Sequence, residues 1–183
     1  MEDVENLIDT LALERIEVNL FRGRAPAGQG PRIFGGLVIG QALLAAYRTV
    51  ERRLCHSLHC YFIRPGDPAV PILFEVDPAR AAKSLTTRRG LAIQHGQQIF
   101  TLAASFQVEE QGYEHQFDMP KEVGPDELGD EQTVRKKYLD KMPPEAREWM
   151  SKPRPIEMRS VHPFEFGTRQ PRLAVRLPPQ RIR

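Results

Sequence analysis

Two adjacent glycines, Gly35 and Gly36, open the apolar run RIFGGLVIGQALLAAYRTV at residues 32–50. At a helix start the first N–H groups have no partner within the helix and the macrodipole favours negative charge, so this geometry suits an oxyanion or a phosphate. Close packing of the helix against a sheet is the other use of small residues here, and the sequence leaves both open. The run is neither a P-loop nor a dinucleotide fingerprint, because the Lys-Ser/Thr ending and the preceding strand are missing. Three histidines are candidate bases. His56 and His59, three apart, are expected on opposite faces of one strand and so cannot converge on one metal. His95 is expected in an exposed hairpin turn. Ser57 and Ser84 have no base placed beside them, which leaves a nucleophilic triad unsupported. Asp67, Asp77 and Asp118 adjoin or approach prolines, which is turn chemistry before it is acid catalysis. Gln41 and Thr87 are expected to satisfy hydrogen bonds in the core. No metal ligand set and no cofactor is expected.

The elements that must position these groups follow from periodicity. Residues 3–10 predict a short amphipathic helix, and LERIEVNLFRG predicts a strand through Arg15–Phe21. RAPAGQGPR is a loop by composition. From Gly36 to Arg53 apolar residues recur on nearly every side, which predicts a buried helix about 27 Å long. Four strand-like runs follow without another helix: HSLHCYFI, PILFEVD, SLTTRRGLAIQ and QIFTLAASFQV. Leu85, Thr87, Arg89, Leu91 and Ile93 share one face of the third, and Phe100, Leu102, Ala104, Phe106 and Val108 one face of the fourth. The glycine of HGQQ marks a tight hairpin between them, while RPGDP and DPARAAK read as turns. A sheet that wraps the helix is the architecture this order implies. From Glu109 to about Lys152 the chain is polar, with one helix predicted around Glu131–Leu139. RPIEMRSV and RLAVRL then resume short strand-like runs. The expected division is therefore a first domain over 1–110, a linker over 111–152, and the start of a second domain over 153–183.

Composition narrows the function classes. The 183 residues are 40% hydrophobic and 27% charged, with a net charge of +2, too slight to argue for nucleic acid. No apolar run approaches the roughly 20 residues that span a bilayer, and the acidic start is unlike a signal peptide, so a cytoplasmic location without membrane contact is expected. Cys55 and Cys60, on one predicted strand, are expected as small buried hydrophobes. The tail from Arg169 carries five arginines, three prolines and no acid, and is expected to stay solvated.

NLFRG, RIFGGLVIGQAL, HSLHCYFIRPGDP, KSLTTRRGLAIQHGQQIFTLAASFQ and HQFDMP, in this order and spacing, resemble the N-terminal half of the acyl-CoA thioesterase II family. The likeness runs from about Leu13 to Pro120. It implies an α+β hotdog fold, a long central helix wrapped by an antiparallel sheet, as the first of two such repeats. It also implies hydrolysis of fatty acyl-CoA to free acid and CoA by an Asp, a Ser or Thr and a Gln of the second repeat. None of those three has a matching position in this chain, so the expected catalytic set is empty and the second repeat is expected to be truncated. The expected alternative is an inactive hotdog domain that dimerises or binds acyl-CoA without cleaving it. The substrate contacts expected in this half are Phe34, Gly35, Gly36, His59, Arg64, Ser84 and Arg88, the arginines facing CoA phosphates. A homo-oligomer through hotdog sheet pairing is expected, because a lone hotdog leaves a sheet edge open. Three departures from the family pattern are Leu37, Ala82 and Leu85. The ending RIR is no S-K-L-type address.

Overall fold

Alternation and turn residues resolve the unit Ile8–Tyr113 into a six-stranded antiparallel sheet with one long helix on its inner face. The computed structural model describes residues 2–26, 31–81, 84–130, 156–161 and 173–176, with isolated positions between 133 and 151. The elements in order are α1 (Glu2–Leu11), β1 (Glu14–Glu17), β2 (Leu20–Gly23), α2 (Gly35–Tyr47), β3 (Leu54–Phe62), β4 (Ile72–Ala81), β5 (Leu85–Gln94) and β6 (Gln97–Gln107). The strands lie in the order β1-β2-β4-β5-β6-β3, each antiparallel to its neighbours. This is the α+β hotdog architecture.

The strand expected through Arg15–Phe21 is instead a hairpin. Glu17 pairs with Leu20, and the Glu17 carboxylate accepts the Val18 N–H at 2.8 Å, which turns the chain at Val18–Asn19. Between β5 and β6 the turn is His95–Gly96, with φ of 50° and 69° and Gln94 paired to Gln97. Positive φ at both central residues is the type I′ geometry that matches strand twist. Of DPARAAK, expected as a turn, Asp77 to Ala81 form the far end of β4, and the last two residues lie outside the described residues. The register shifts between Asp77 and Arg80, so Pro78 falls in a bulge where its missing N–H breaks no ladder bond.

The central helix is shorter than expected, 13 residues or about 20 Å. It ends where Thr49 turns back: the Arg48 and Thr49 N–H groups donate to Leu44 and Ala46 carbonyls, and Thr49 Oγ1 donates to the Ala46 carbonyl at 2.8 Å. Nor is it buried all round. Leu37, Val38, Gln41, Ala42, Ala45 and Ala46 face the sheet, whereas Leu44 is 38% exposed. The small side chains on the buried face let the sheet approach, and Phe21, Phe74, Phe100 and Phe106 fill the space between. Burial of each such ring contributes roughly 1.5–3 kcal/mol.

In β6 the inner residues are Phe100, Leu102, Ala104 and Phe106, as the alternation implies. In β5 the larger apolar residues of the odd face, Leu85, Leu91 and Ile93, turn away from the core, and the inner face is Thr86, Arg88, Gly90, Ala92 and Gln94. Three polar side chains on the inner face invert the usual reading, and hydrogen bonds of Arg88 and Gln94 make the burial of those two tolerable. In the second unit, which comprises Met1–Leu7 and Glu114–Arg183, β7 (Glu157–Ser160) and β8 (Leu173–Arg176) form a separate two-stranded sheet. Arg159 pairs with Glu157 and donates to the Pro125 and Leu128 carbonyls, which ties the 3-10 turn Pro125–Glu127 to β7. The helix expected around Glu131–Leu139 falls mostly outside the described residues, as do Ala82 and the tail beyond Arg176.

Candidate ligand cleft at the start of the central helix

The helix start and the end of β3 flank an open cleft of about 410 Å³ lined by Arg32, Ile33, Gly35, Val38, Phe62–Gly66, Ile99 and Phe100. Its volume lies within the usual range of small-ligand sites, about 300–1,000 Å³. The floor is apolar: Ile33, Val38, Ile99 and Phe100 are buried. One wall is Phe62, 55% exposed, whose ring lies 5.2 Å from that of Phe100. Backbone bonds from outside the helix fix the walls. The Ile33 N–H donates to the Gly66 carbonyl at 3.1 Å, and the Ile63 and Arg64 N–H groups both donate to the Ile99 carbonyl. Arg64 Nη1 also donates to the Gln98 carbonyl at 2.7 Å, holding the guanidinium at the rim.

Gly35 is small for a local reason. A Cβ placed on it would lie 2.9 Å from Phe62 Cζ, so any side chain there would displace the ring that forms the wall. The helix start carries no capping side chain and no acid in its first turn, so nothing there opposes an anion. Among the described residues lining the cleft are two arginines and no carboxylate.

Of the seven expected contacts, Gly35 and Arg64 line this cleft. Phe34 and Gly36 are their neighbours but turn elsewhere: the Phe34 ring folds over Gly36 and is 70% exposed. His59 is on the outer face of β3, paired with Ala103 and in ring contact with Tyr61 at 4.7 Å. A bulge between Cys55 and Ser57 displaces His56 from the ladder, so the simple opposite-face relation of the two histidines is lost. Ser84 lies beyond the start of β5, where its carbonyl accepts the Val108 N–H. Arg88 lies at the other end of α2. It is buried and its donors are committed: Nε to Thr49 Oγ1 at 2.7 Å, Nη2 to the Thr49 carbonyl at 2.8 Å, and Nη1 to the Arg80 and Thr87 carbonyls at 3.1 Å. Burial, and then the charge of Arg53, lower its affinity for the proton. The structure does not bring Ser84 or Arg88 to the cleft.

Gln94 positions the cleft from behind, a role that its place in β5 did not suggest. Its Oε1 accepts the Asp67 N–H at 2.9 Å, and its Nε2 donates to the Asp67 and Val70 carbonyls at 2.9 and 2.7 Å. The loop that follows Gly66 is thereby clamped to the sheet. Asp67 Oδ1 accepts the Ala69 N–H at 2.9 Å, and its Oδ2 lies 3.3 Å from His95 Nε2. These bonds, the Ala69 one first, hold the Asp67 carboxyl below its ordinary range. Gln41 is buried in α2 and donates to the Thr10 and Arg24 carbonyls, an anchoring role for α1 and β2. Among the described residues, no group of three or more His, Cys, Asp or Glu converges as a metal site. Nor is any helix there long and apolar enough to cross a membrane.

Residues 24–107, the span that holds α2, β3 to β6 and this cleft, match the family model of the acyl-CoA thioesterase N-terminal domain. Over this stretch the chain belongs to the acyl-CoA thioesterase II family. It is 40% identical over 168 residues to human acyl-coenzyme A thioesterase 8, covering 87% of this chain and 53% of that one. It is 38% identical to acyl-CoA thioesterase 2 of Haemophilus influenzae, covering 93% and 61%. Among solved structures it is similar to the acyl-CoA thioesterase II TesB2 of Mycobacterium marinum, at a TM-score of 0.66 and 38% identity over 84% of this chain and 51% of that one. The tesB protein of Mycobacterium avium subs paratuberculosis matches at a TM-score of 0.70 and 31% identity, over 87% and 55%. The chain thus spans between a half and two thirds of these relatives' lengths.

Proposed function

We propose that this chain is the N-terminal, substrate-holding part of a fatty acyl-CoA thioesterase, and that by itself it binds acyl-CoA without hydrolysing it. The observation that carries this reading is the family match across the residues that form the cleft. An apolar cleft with cationic groups at its rim suits an acyl chain joined to a polyanionic carrier. Gly35 and Arg64 are its contacts; Phe34 and Gly36 flank it. On this reading the family's catalytic Asp, Ser or Thr, and Gln come from a second repeat, and hydrolysis requires it.

Pairing through the sheet fits the same reading. The two edges are unequal. β1 is four residues long, interrupted by a bulge and charged, which blunts it; β3 is nine residues long with β6 as its one neighbour in the sheet. Leu54, Tyr61 and Phe62 are exposed along it. A second hotdog, from another copy or another repeat, would complete the sheet at β3 and wall the cleft at the Phe62 end.

The test is thiol release from palmitoyl-CoA by the purified 183-residue chain, with the solution mass measured on the same sample. The expected result is a dimer or larger assembly that does not turn over, and that gains turnover when a second repeat carrying the catalytic set is supplied. Robust turnover by this chain without it would overturn the reading.

A further inference from the structure

We propose that the exposed segment Tyr113–Met119 of one copy of this chain adds as a strand to the open β3 edge of a second copy, which returns the same contact. The inference goes beyond the acyl-CoA reading and needs no ligand; it names what covers β3 while no second repeat does. Three observations carry it. The segment has the pattern of a strand and belongs to no sheet among the described residues: Tyr113, His115, Phe117 and Met119 alternate with Glu114, Gln116 and Asp118. The rings of His115 and Phe117 lie 4.8 Å apart, as two side chains on one side of an extended chain do. Tyr113, Phe117 and Met119 are 110%, 83% and 80% exposed, and apolar groups left so fully in water mark a contact surface.

The β3 edge is the reverse case. Its nine residues have β6 as their one neighbour in the sheet, and such an edge presents a row of backbone donors and acceptors to an incoming strand. The charges of the two elements are opposite. Residues 109–119 hold Glu109, Glu110, Glu114 and Asp118 and no Lys or Arg, whereas residues 52–64 hold Arg52, Arg53 and Arg64, with His56 and His59, and no acid.

A strand added at an edge gains affinity from main-chain hydrogen bonds and specificity from its alternate side chains. Leu58 and Cys60 pack on the core from β3, while the rings of His59 and Tyr61 meet on its outer face. The apolar row of the segment then continues the inner face beside Leu58 and Cys60, and its acidic row continues the outer face beside His59. Seven extended residues span about 23 Å, within the roughly 30 Å of β3. Each copy gives one segment and receives one, so the assembly closes at two copies.

Hydrogen-exchange mass spectrometry of the full chain at rising concentration, with the solution mass measured on the same samples, tests the contact. Exchange over 113–119 and over 54–62 should slow together, by about tenfold or more, as the dimer forms. Adjacent N–H groups of an extended chain point to opposite sides, so one of His115 and Gln116 donates into the new ladder. His115→Pro with Gln116→Pro should therefore weaken the dimer by about tenfold or more. Both residues are exposed and lie outside the strands, so the melting temperature of the monomer should not change. Glu114→Lys with Asp118→Lys should also weaken the dimer, most strongly at low salt. A dimer that the proline variant leaves intact would overturn the proposal, as would a chain that stays monomeric. So would slower exchange over 54–62 without 113–119, the signature of β3 pairing with a second β3, or protection of 113–119 at every concentration, the signature of docking within one chain. None of these outcomes bears on thiol release, which tests the acyl-CoA reading by itself.

Discussion

The two ends of the central helix use arginine in opposite ways. At its C-terminal end Arg88 is buried and gives its donors to Thr49, Arg80 and Thr87, closing a polar knot against the end of the helix. A cation there also complements the negative end of the macrodipole. At the N-terminal end the Arg64 side chain makes one hydrogen bond, to the Gln98 carbonyl, and stays exposed beside an apolar cleft. By type the two residues are equivalent phosphate ligands. Their hydrogen bonds separate them: one is spent on the fold, the other remains available to a ligand.

The largest expected effect tests that contrast directly. Arg88→Met should destabilise the chain by about 2–4 kcal/mol, because it leaves the Thr49 carbonyl and its neighbours buried without a donor. Arg64→Gln should cost no more than about 0.5 kcal/mol. Urea unfolding of both variants measures the difference, and similar costs would erase the distinction between the two ends.

Gln94→Ala comes next. Loss of its three bonds to the Asp67–Val70 loop should cost about 1–3 kcal/mol and speed amide exchange at Asp67. Unchanged exchange there would mean that the loop is held by something else. Gly35→Ala should cost no more than about 1 kcal/mol, because the exposed Phe62 ring can turn aside, and Phe62→Leu in the same chain should relieve most of it. Additive costs in that double-mutant cycle would separate Gly35 from the wall.

The smallest effect is a pH dependence. The Asp67 carboxyl titrates below its unfolded value of about 3.9, so its contribution is present above that pH and fades as pH falls through the folded value. An NMR titration should show the Ala69 amide shifting in that acidic window in the wild type and not in Asp67→Asn.

Much of the fold was legible from local pattern. The alternation of Phe100, Leu102, Ala104 and Phe106 and the glycine of the His95–Gly96 turn place β5 and β6 as an antiparallel pair, and that is how they lie. Periodicity misled where burial is polar. Arg88 and Gln94 occupy the inner face of β5, so the greasier face of that strand is the outer one. Alternation also ran unbroken through Val18 and Asn19, which hid the β1–β2 hairpin. Helix α2 looked apolar all round, yet its length and its exposed side are decided by Thr49 and by how far the sheet curls, neither of which is local.

The candidate cleft was less legible for the same reason. Gly35 and Arg64 are 29 positions apart and meet because the Ile33 N–H reaches Gly66 and the Ile99 carbonyl gathers Ile63 and Arg64. Residue type alone put Ser84 and Arg88 in the same set, and only the register of β5 separates them from it.

Hydrogen-exchange mass spectrometry of the full chain with and without palmitoyl-CoA tests the central claim most directly, since it reads which end of the helix the ligand reaches. The account predicts slower exchange over residues 33–38 and 62–66, with residues 49–53 and 84–88 unchanged. Protection confined to 49–53 and 84–88, or absent from all four segments at saturating ligand, would contradict it.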